Sequence, residues 1–174
     1  DKQIIFRLNG VNQSHEGISI KEKMIPLVKR EPELIHGIRN IVHNALKFSK
    51  SHVDINLITN SRKINLEITD DGKGFPNDIT NMIGEPFLKK SNFYLMEVKN
   101  RRSEEGMGLG LFIANILLEK TKGRLKFSNM QQIENDGKKQ ITGAKVEISW
   151  ERSSIEVLQW DKKAKMKENP RNVS

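Results

Sequence analysis

The sequence predicts a mixed α/β domain, and three observations predict it. Apolar residues recur at three- and four-residue steps over residues 33–49, the period of a helix. They alternate with polar residues over 53–60 and again over 64–69, the period of a strand. Gly106, Gly108 and Gly110 then open a second apolar helix, which runs from Leu109 to Leu118 and stops near Gly123. At 174 residues the chain is long enough for one domain with its own core.

Composition narrows the function classes. Apolar residues make up 36%, charged residues 30%, and the formal net charge is +8. A basic domain suits a negatively charged partner: nucleic acid, an acidic membrane surface or a phosphorylated ligand. The lysines and arginines are spread along the chain, and aromatics are few, with one Tyr, two Trp and seven Phe. No basic stripe is interleaved with stacking residues, so direct nucleic-acid binding is not expected. Cysteine is absent, which excludes disulfides, thiolate metal sites and thiol chemistry within this segment. No apolar run reaches membrane-spanning length. The first residue is Asp, and a piece of a longer protein is expected.

Taken in order, Gln3 to Leu8 reads as a strand, and Asn9-Gly10 is a hairpin turn signal with Ile18-Ser19-Ile20 as the expected return. On the first helix Leu34, Ile35, Ile38, Ile41, Val42, Ala45 and Phe48 share a face. His36, Asn40, His43, Asn44 and Lys47 lie opposite. Asn40, Asn44 and Lys47 fall on one stripe, being four and three residues apart. A solvated face is one reading of that stripe. Against it, Asn is a poor helix former, and a wet face more readily uses Glu, Lys or Gln. Amides beside a lysine suit a metal–phosphate ligand, the oxygen taking Mg²⁺ and the ammonium meeting phosphate.

Side chains two apart on a strand share a face, so Asp70 continues the inward row of Ile64, Leu66 and Ile68. An inward carboxylate is costly unless a donor meets it. It either caps the turn at Gly72 or accepts from a ligand such as the amine of adenine. Asp71 points the other way, toward solvent. Gly72 and Gly74 let backbone approach a flat ligand closely. A short helix at most is expected over 77–83, and Gly84-Glu85-Pro86-Phe87 breaks it. Residues 88–105 are long and basic, and a loop of that length in a compact domain suggests a functional lid. The glycines at 106, 108 and 110 leave backbone N–H groups bare at a helix start, where phosphate is the natural guest. No Gly-Lys-Ser/Thr follows, so this is not a Walker loop. Residues 124–128 and 142–150 are further strands, the second with Ala144, Val146, Ile148 and Trp150 inward. Composition shifts after Trp150. Ser153-x-x-Glu156 is a capping-box signal for a last helix, with Ile155, Leu158 and Trp160 available to pack it.

Three of these features, in this order, resemble the N, G1 and G2 boxes of the GHKL ATPases. They are Asn40-x-x-x-Asn44 on a helix, Asp70-x-Gly72-x-Gly74 after a strand, and Gly106-x-Gly108-Leu109-Gly110-Leu111 opening a helix. Phe87 in Glu85-Pro86-Phe87 is similar to the F box of the sensor histidine kinase branch. The resemblance covers roughly residues 18–150, and its wording is similar to the redox-responsive RegB/PrrB type of kinase.

That resemblance implies a two-layer α/β sandwich of the Bergerat (GHKL) type, a mixed sheet with helices on one face. It implies ATP and Mg²⁺ as cofactors, with Asp70 accepting from the adenine amine and Gly72 and Gly74 beside the ring. Asn44 would hold the metal, Asn40 would sit near it, and Lys47 would meet phosphate. Gly106, Gly108, Leu109, Gly110 and Leu111 would form the turn beside the triphosphate, and Phe87 would be a further ATP-binding residue. The implied enzyme is a protein histidine kinase. It transfers the γ-phosphate to a histidine on its own separate dimerisation domain, for relay to a response regulator. Residues 1–152 would be this domain and 153–174 a basic tail with a short helix. The full-length protein would be a membrane-anchored homodimer in the bacterial inner membrane, with this domain in the cytoplasm. The alternatives are a gyrase-, mismatch-repair- or chaperone-type ATPase, and an ATP-binding docking domain without activity. Such ATPases usually carry Glu, a water-activating base, where this chain has Asn40. An amide takes no proton at neutral pH, which favours transfer over hydrolysis. The family's acceptor segment is missing: His15-Glu16 matches its first two residues only and reads as loop. Ala144 follows Gly143 where many relatives carry Thr.

Overall fold

The computed structural model describes residues 2–12, 25–76, 108–135 and 137–157. Strand β1 (Gln3–Leu8) turns at Asn9-Gly10 and returns at once as β2 (Val11–Asn12), with Leu8 opposite Val11. Both turn residues have positive φ, 49° and 82°, and Asn-Gly tolerates that backbone with little strain. The return expected at Ile18-Ser19-Ile20 is thus taken by Val11–Asn12, and 18–20 lie outside the described residues, as does His15.

Helix α1 (Pro32–Phe48) starts with Pro at its first turn and Glu33 near the positive dipole end. It buries Leu34, Gly37, Ile41 and Ala45. The expected core face is rotated from this one. Ile35 is 45% exposed, and Gly37 takes a buried position instead. The reason is a second helix, α2 (Gly108–Lys120), which packs on the Gly37 side. A Cβ at Gly37 would lie 2.6 Å from the Leu118 side chain, and one at Gly110 would lie 3.2 Å from the Asn44 amide. The two helices therefore run antiparallel at very close range.

Strand β3 (His52–Thr59) pairs in parallel with β1, so the chain between them must cross over, and α1 lies in that crossover. Strand β4 (Lys63–Asp70) pairs antiparallel with β3. Strand β6 (Lys139–Glu151) pairs antiparallel with β4 and with β5 (Arg124–Ile133). The six strands stand in the order β2-β1-β3-β4-β6-β5. Strict alternation fixes the register: Ile64, Leu66 and Ile68 of β4 face Trp150, Ile148 and Val146 of β6 across the ladder. All six are buried, and with Val53, Ile41 and Leu118 they form the core between sheet and helices. The opposite face of the sheet is polar, with Arg7 on Asp54 at 2.7 Å and Lys145 on Glu67 at 3.0 Å. The fold is the expected two-layer sandwich. Helix α2 is less enclosed than its composition suggests: Leu111, Ala114 and Leu118 are buried, but Ile113 is 39% exposed. No described helix is long and apolar enough to cross a membrane.

The last described turn, α3 (Arg152–Ile155), begins one residue before the expected capping box. Its cap position is Glu151, with no side-chain cap bond. Glu156 instead pairs with Arg152 one turn back, and that ion pair replaces the Ser153 box. Ile155 is buried, and the Val157 amide donates to the Leu27 carbonyl. Leu158 and Trp160 lie outside the described residues, together with the rest of 158–174.

Asp71 corrects another expectation. It is half-buried and accepts from the amides of Lys50 (2.8 Å), Ser51 and His52 and from the Ser51 hydroxyl. It ties the end of α1 to the start of β3, because that turn leaves three N–H groups without a ladder partner. Burial raises its pKa, but the Ser51 hydroxyl and the three amides outweigh burial and hold it well below its ordinary 3.8. A depressed carboxyl contributes stability above its unfolded value and loses it as pH falls below about 4. Asp71→Ala should therefore lower the urea midpoint at pH 7, and the gap from wild type should shrink as pH is taken below 4. A pH-independent gap would mean that packing, not the charge, is at stake.

Candidate functional site

Where the inward row of β4 ends, the sheet and α1 part. A pocket opens there, lined by Ile41, Asn44, Ala45, Phe48, Ile68, Asp70, Gly74, Phe75, Leu111, Ala144 and Val146. Most of these side chains are apolar, and the polar groups that join them are Asp70 and Asn44. A concave apolar slot with a few convergent polar groups is what a small organic ligand needs.

Asp70 is only 6% exposed. Its Oδ1 accepts from the Gly72 amide at 2.8 Å and the Ala144 amide at 3.3 Å. The turn cap and the ligand donor, alternatives in the sequence, are compatible here. Oδ1 serves the turn, and among the described residues no donor reaches Oδ2. Burial raises the pKa of Asp70, and the two amides pull it back only in part. A carboxylate in this state gains from any further donor.

The two glycines of Asp70-x-Gly72-x-Gly74 do different work. A Cβ at Gly72 would lie 2.3 Å from the Phe48 carbonyl oxygen, so Gly72 lets the turn pass the end of α1 and does not line the pocket. Gly74 does line it, with φ of 76°, and a Cβ there would strike Ile141 and Asn129. Beside it, Phe75 stands edge-on to Phe127, ring centroids 5.8 Å apart.

Asn44 enters the pocket from α1. Its Nδ2 is buried with no hydrogen-bond partner among the described residues. An unsatisfied buried amide is costly and calls for a group to meet it. Its position departs from the expected placement opposite the apolar face: Asn44 sits at the edge of the apolar stripe, close to Gly110 of α2. Gly110 is what admits it there. Asn40 is half-buried one turn earlier and Lys47 is exposed, and neither lines the pocket. The Lys47 ammonium lies 5.2 Å from the centroid of the Phe48 ring, at the pocket's edge. Leu111 lines the pocket, and Gly108 and Leu109 form the first turn of α2. Phe87, Gly106, the helix expected over 77–83 and the lid expected over 88–105 lie outside the described residues.

Sequence reasoning missed two kinds of site residue. Ile41, Ala45, Phe48, Ile68 and Val146 read as core, and apolar walls carry no signature that separates pocket from core. Asn129 was also missed. It sits inward in β5, bonded to both backbone groups of Phe75. Its signal was an Asn in a strand, where that residue is disfavoured.

An inward carboxylate beside a left-handed glycine, an unsatisfied amide on the facing helix and a second helix opened by glycines define the class. The chain belongs to the histidine kinase-, DNA gyrase B-, and HSP90-like ATPases, which match residues 29–153. ATP is accordingly the ligand of this fold. Among relatives, the sensor histidine kinase RegB of Cereibacter sphaeroides is 40% identical over 128 residues, 72% of this chain and 27% of RegB. ArlS of Staphylococcus haemolyticus, a signal transduction histidine-protein kinase, is 28% identical over 71% of this chain and 27% of its own length. The chain thus spans about a quarter of the length of these relatives. Of solved structures, the mycobacterial sensor histidine kinase MprB covers 85% of this chain and 81% of its own, at 21% identity and a TM-score of 0.52. Full-length ShkA in complex with AMPPNP covers 90% of this chain and 26% of its own, at 17% identity and a TM-score of 0.55. At those identities the likeness speaks for the fold.

Proposed function

We propose that this chain is the ATP-binding catalytic domain of a two-component sensor histidine kinase. Residues 1–152 form the domain and 153–174 a basic tail. The γ-phosphoryl group goes to a histidine on a separate dimerisation domain of the same protein, for relay to a response regulator. The full-length protein is a homodimer anchored in the bacterial inner membrane, with this domain in the cytoplasm. The observation that carries the reading is the buried Asp70 carboxylate at the end of an apolar slot, its Oδ2 left for a donor.

In that slot Asp70 accepts from the exocyclic amine of adenine, and Gly74 lets the backbone lie against the ring. Asn44 and Asn40 face the metal–phosphate end, Lys47 meets phosphate, and the glycine turn at 106–110 with Leu109 and Leu111 shapes the space beside the triphosphate. The Asn44 Oδ1 would hold Mg²⁺, which when bound offsets phosphate charge, while Nδ2, buried with no partner among the described residues, is placed to donate to a phosphate oxygen. No side chain of the Asn40–Asn44–Lys47 stripe is a base for water, so hydrolysis is slow and transfer favoured.

Asn44→Ala removes an unsatisfied buried amide, so the melting point of the ligand-free protein should not fall. Binding of Mg-ATP, by calorimetry, should weaken roughly ten-fold or more, and metal-free ADP much less. Equal losses for both ligands would make Asn44 structural.

The direct test uses labelled ATP. Positioning carries most of phosphoryl transfer, and the described histidines are badly placed for it. His36 and His43 are exposed on the rigid α1, and His52 is held by Asp71, 3.3 Å away. The chain alone should stay unlabelled, and adding the dimerisation domain of the same protein should label that domain. Acid-labile, base-stable phosphate on the isolated chain would overturn the assignment. ATP hydrolysis without transfer would favour the gyrase-type reading.

A further inference from the structure

One side chain outside the family's boxes, Asn129, is bonded to the backbone of the pocket wall. Asn129 stands inward on β5, next to Ala144 across the ladder, and Ala144 in turn touches Asp70 through its amide. The amide of Asn129 grips one residue at both ends: its Oδ1 accepts from the Phe75 N–H at 2.6 Å, and its Nδ2 donates to the Phe75 carbonyl at 3.0 Å. No other short side chain supplies an acceptor and a donor in that fixed spacing. The grip falls next to Gly74, where φ is 76° and where a Cβ would lie 2.7 Å from Asn129 Oδ1. Segment 71–76 is not a strand, so its backbone has no ladder to hold it. At Phe75 itself, the ring packs edge-on against Phe127, a contact that holds the side chain and not the peptide plane.

Resting on the ATP reading above, we propose that Asn129 is a positioning residue that sets base selectivity. By clamping the Phe75 peptide it holds the Gly74 wall at one distance from Asp70. A base can then reach the Asp70 carboxylate only in the plane that presents a 6-amino group. Adenine offers a donor there, whereas guanine offers a carbonyl oxygen, which the carboxylate repels. With the clamp gone the wall can swing, the ring can tilt away from Asp70, and the penalty on the wrong base falls. Asn129 touches neither base nor phosphate in this account; it acts through Gly74 and Phe75.

The test measures ADP and GDP dissociation constants for the protein, for Asn129→Ala and for Asn129→Asp, with melting curves for each. The aspartate keeps the acceptor for the Phe75 N–H and loses the donor to its carbonyl. Wild type should prefer ADP strongly. In Asn129→Ala the GDP-to-ADP ratio should fall at least ten-fold, mainly through weaker ADP binding, and Asn129→Asp should fall between. If Asn129→Ala proves unfolded, the ratio in Asn129→Asp decides alone. A lowered melting point with an unchanged ratio in the folded variants would make Asn129 merely structural and overturn the proposal. Wild type that binds neither nucleotide would overturn the ATP reading itself, a distinct result.

Discussion

Asp70→Asn should lower ADP and ATP affinity by roughly five-fold or more while leaving the melting point within a few degrees of wild type. Two properties of Asp70 separate binding from stability. Its Oδ1 already serves the fold, accepting from the amides of Gly72 and Ala144. The amide oxygen of Asn can take over both bonds without moving. The other end of the group then changes from an acceptor to an N–H₂. An adenine amine would meet a donor, and a mismatched buried pair costs about 1–3 kcal/mol, or roughly 5- to 150-fold. Stability should respond weakly, and the sign can be worked out. The folded pKa of Asp70 is raised, chiefly by burial. Such a group contributes stability below its unfolded pKa and loses that contribution as pH rises through the folded value. Above the folded value that contribution is gone, so a neutral amide there gives up little. Calorimetry and a thermal melt on the same preparation decide the matter. Unchanged affinity would remove Asp70 from the site, and collapse of the fold would make it a structural cap alone.

How much of this was legible follows from which signals are local. The period-2 alternation placed β3 and β4 to within a residue, because one side chain in two must face the helices. The same alternation aimed Asp70 inward before any contact was known. Asn9-Gly10 specified its turn, since few dipeptides accept two positive φ values in succession. What failed was set by partners distant in sequence. The rotation of α1 depends on α2, about seventy residues away, which presses on Gly37 and turns Ile35 out into solvent. Asp71 reads as a solvated acid, and only the fold shows that the Lys50–His52 turn offers it four donors. Within the candidate site the polar members and Gly74 were legible as types that fit poorly where they stand: an inward Asp, helix-face Asn, paired Gly. The apolar walls were not, because Ile41 and Ile68 look the same whether they face a core or a ligand. The division of labour between Gly72 and Gly74 was also hidden, because it depends on the Phe48 carbonyl on one side and Asn129 on the other.

Gly143→Ala should be among the most damaging single-methyl additions in the described chain. At Gly143 strand β6 passes the backbone of Asp70 so closely that a Cβ would stand 1.8 Å from the Asp70 carbonyl oxygen. The obstacle is backbone, so no rotamer change can relieve it, and one of the two strands must move. Neither is free to do so. Gly143 faces Met130 in the ladder just where the β5–β6 register shifts, and a Cβ would also press the Met130 side chain at 3.0 Å. The next residue, Ala144, holds the Asp70 carboxylate through its amide, so displacing β6 displaces the pocket's acceptor as well. Overpacking of this kind costs about 3 kcal/mol or more, which for a domain of this length lowers the melting point by roughly 6–12 °C. Gly137→Ala is the informative control. Gly137 has φ of 79° but nothing within 4 Å of its would-be Cβ, so it carries the left-handed penalty of about 1 kcal/mol and no clash. Urea unfolding of both variants, with ADP affinity measured on whatever remains folded, separates the two effects. Gly143→Ala should lose more stability than Gly137→Ala and should also lose nucleotide binding, while Gly137→Ala keeps it. Similar small losses in both would show that β6 is free to shift at Asp70, and that the acceptor is not held by the passing strand.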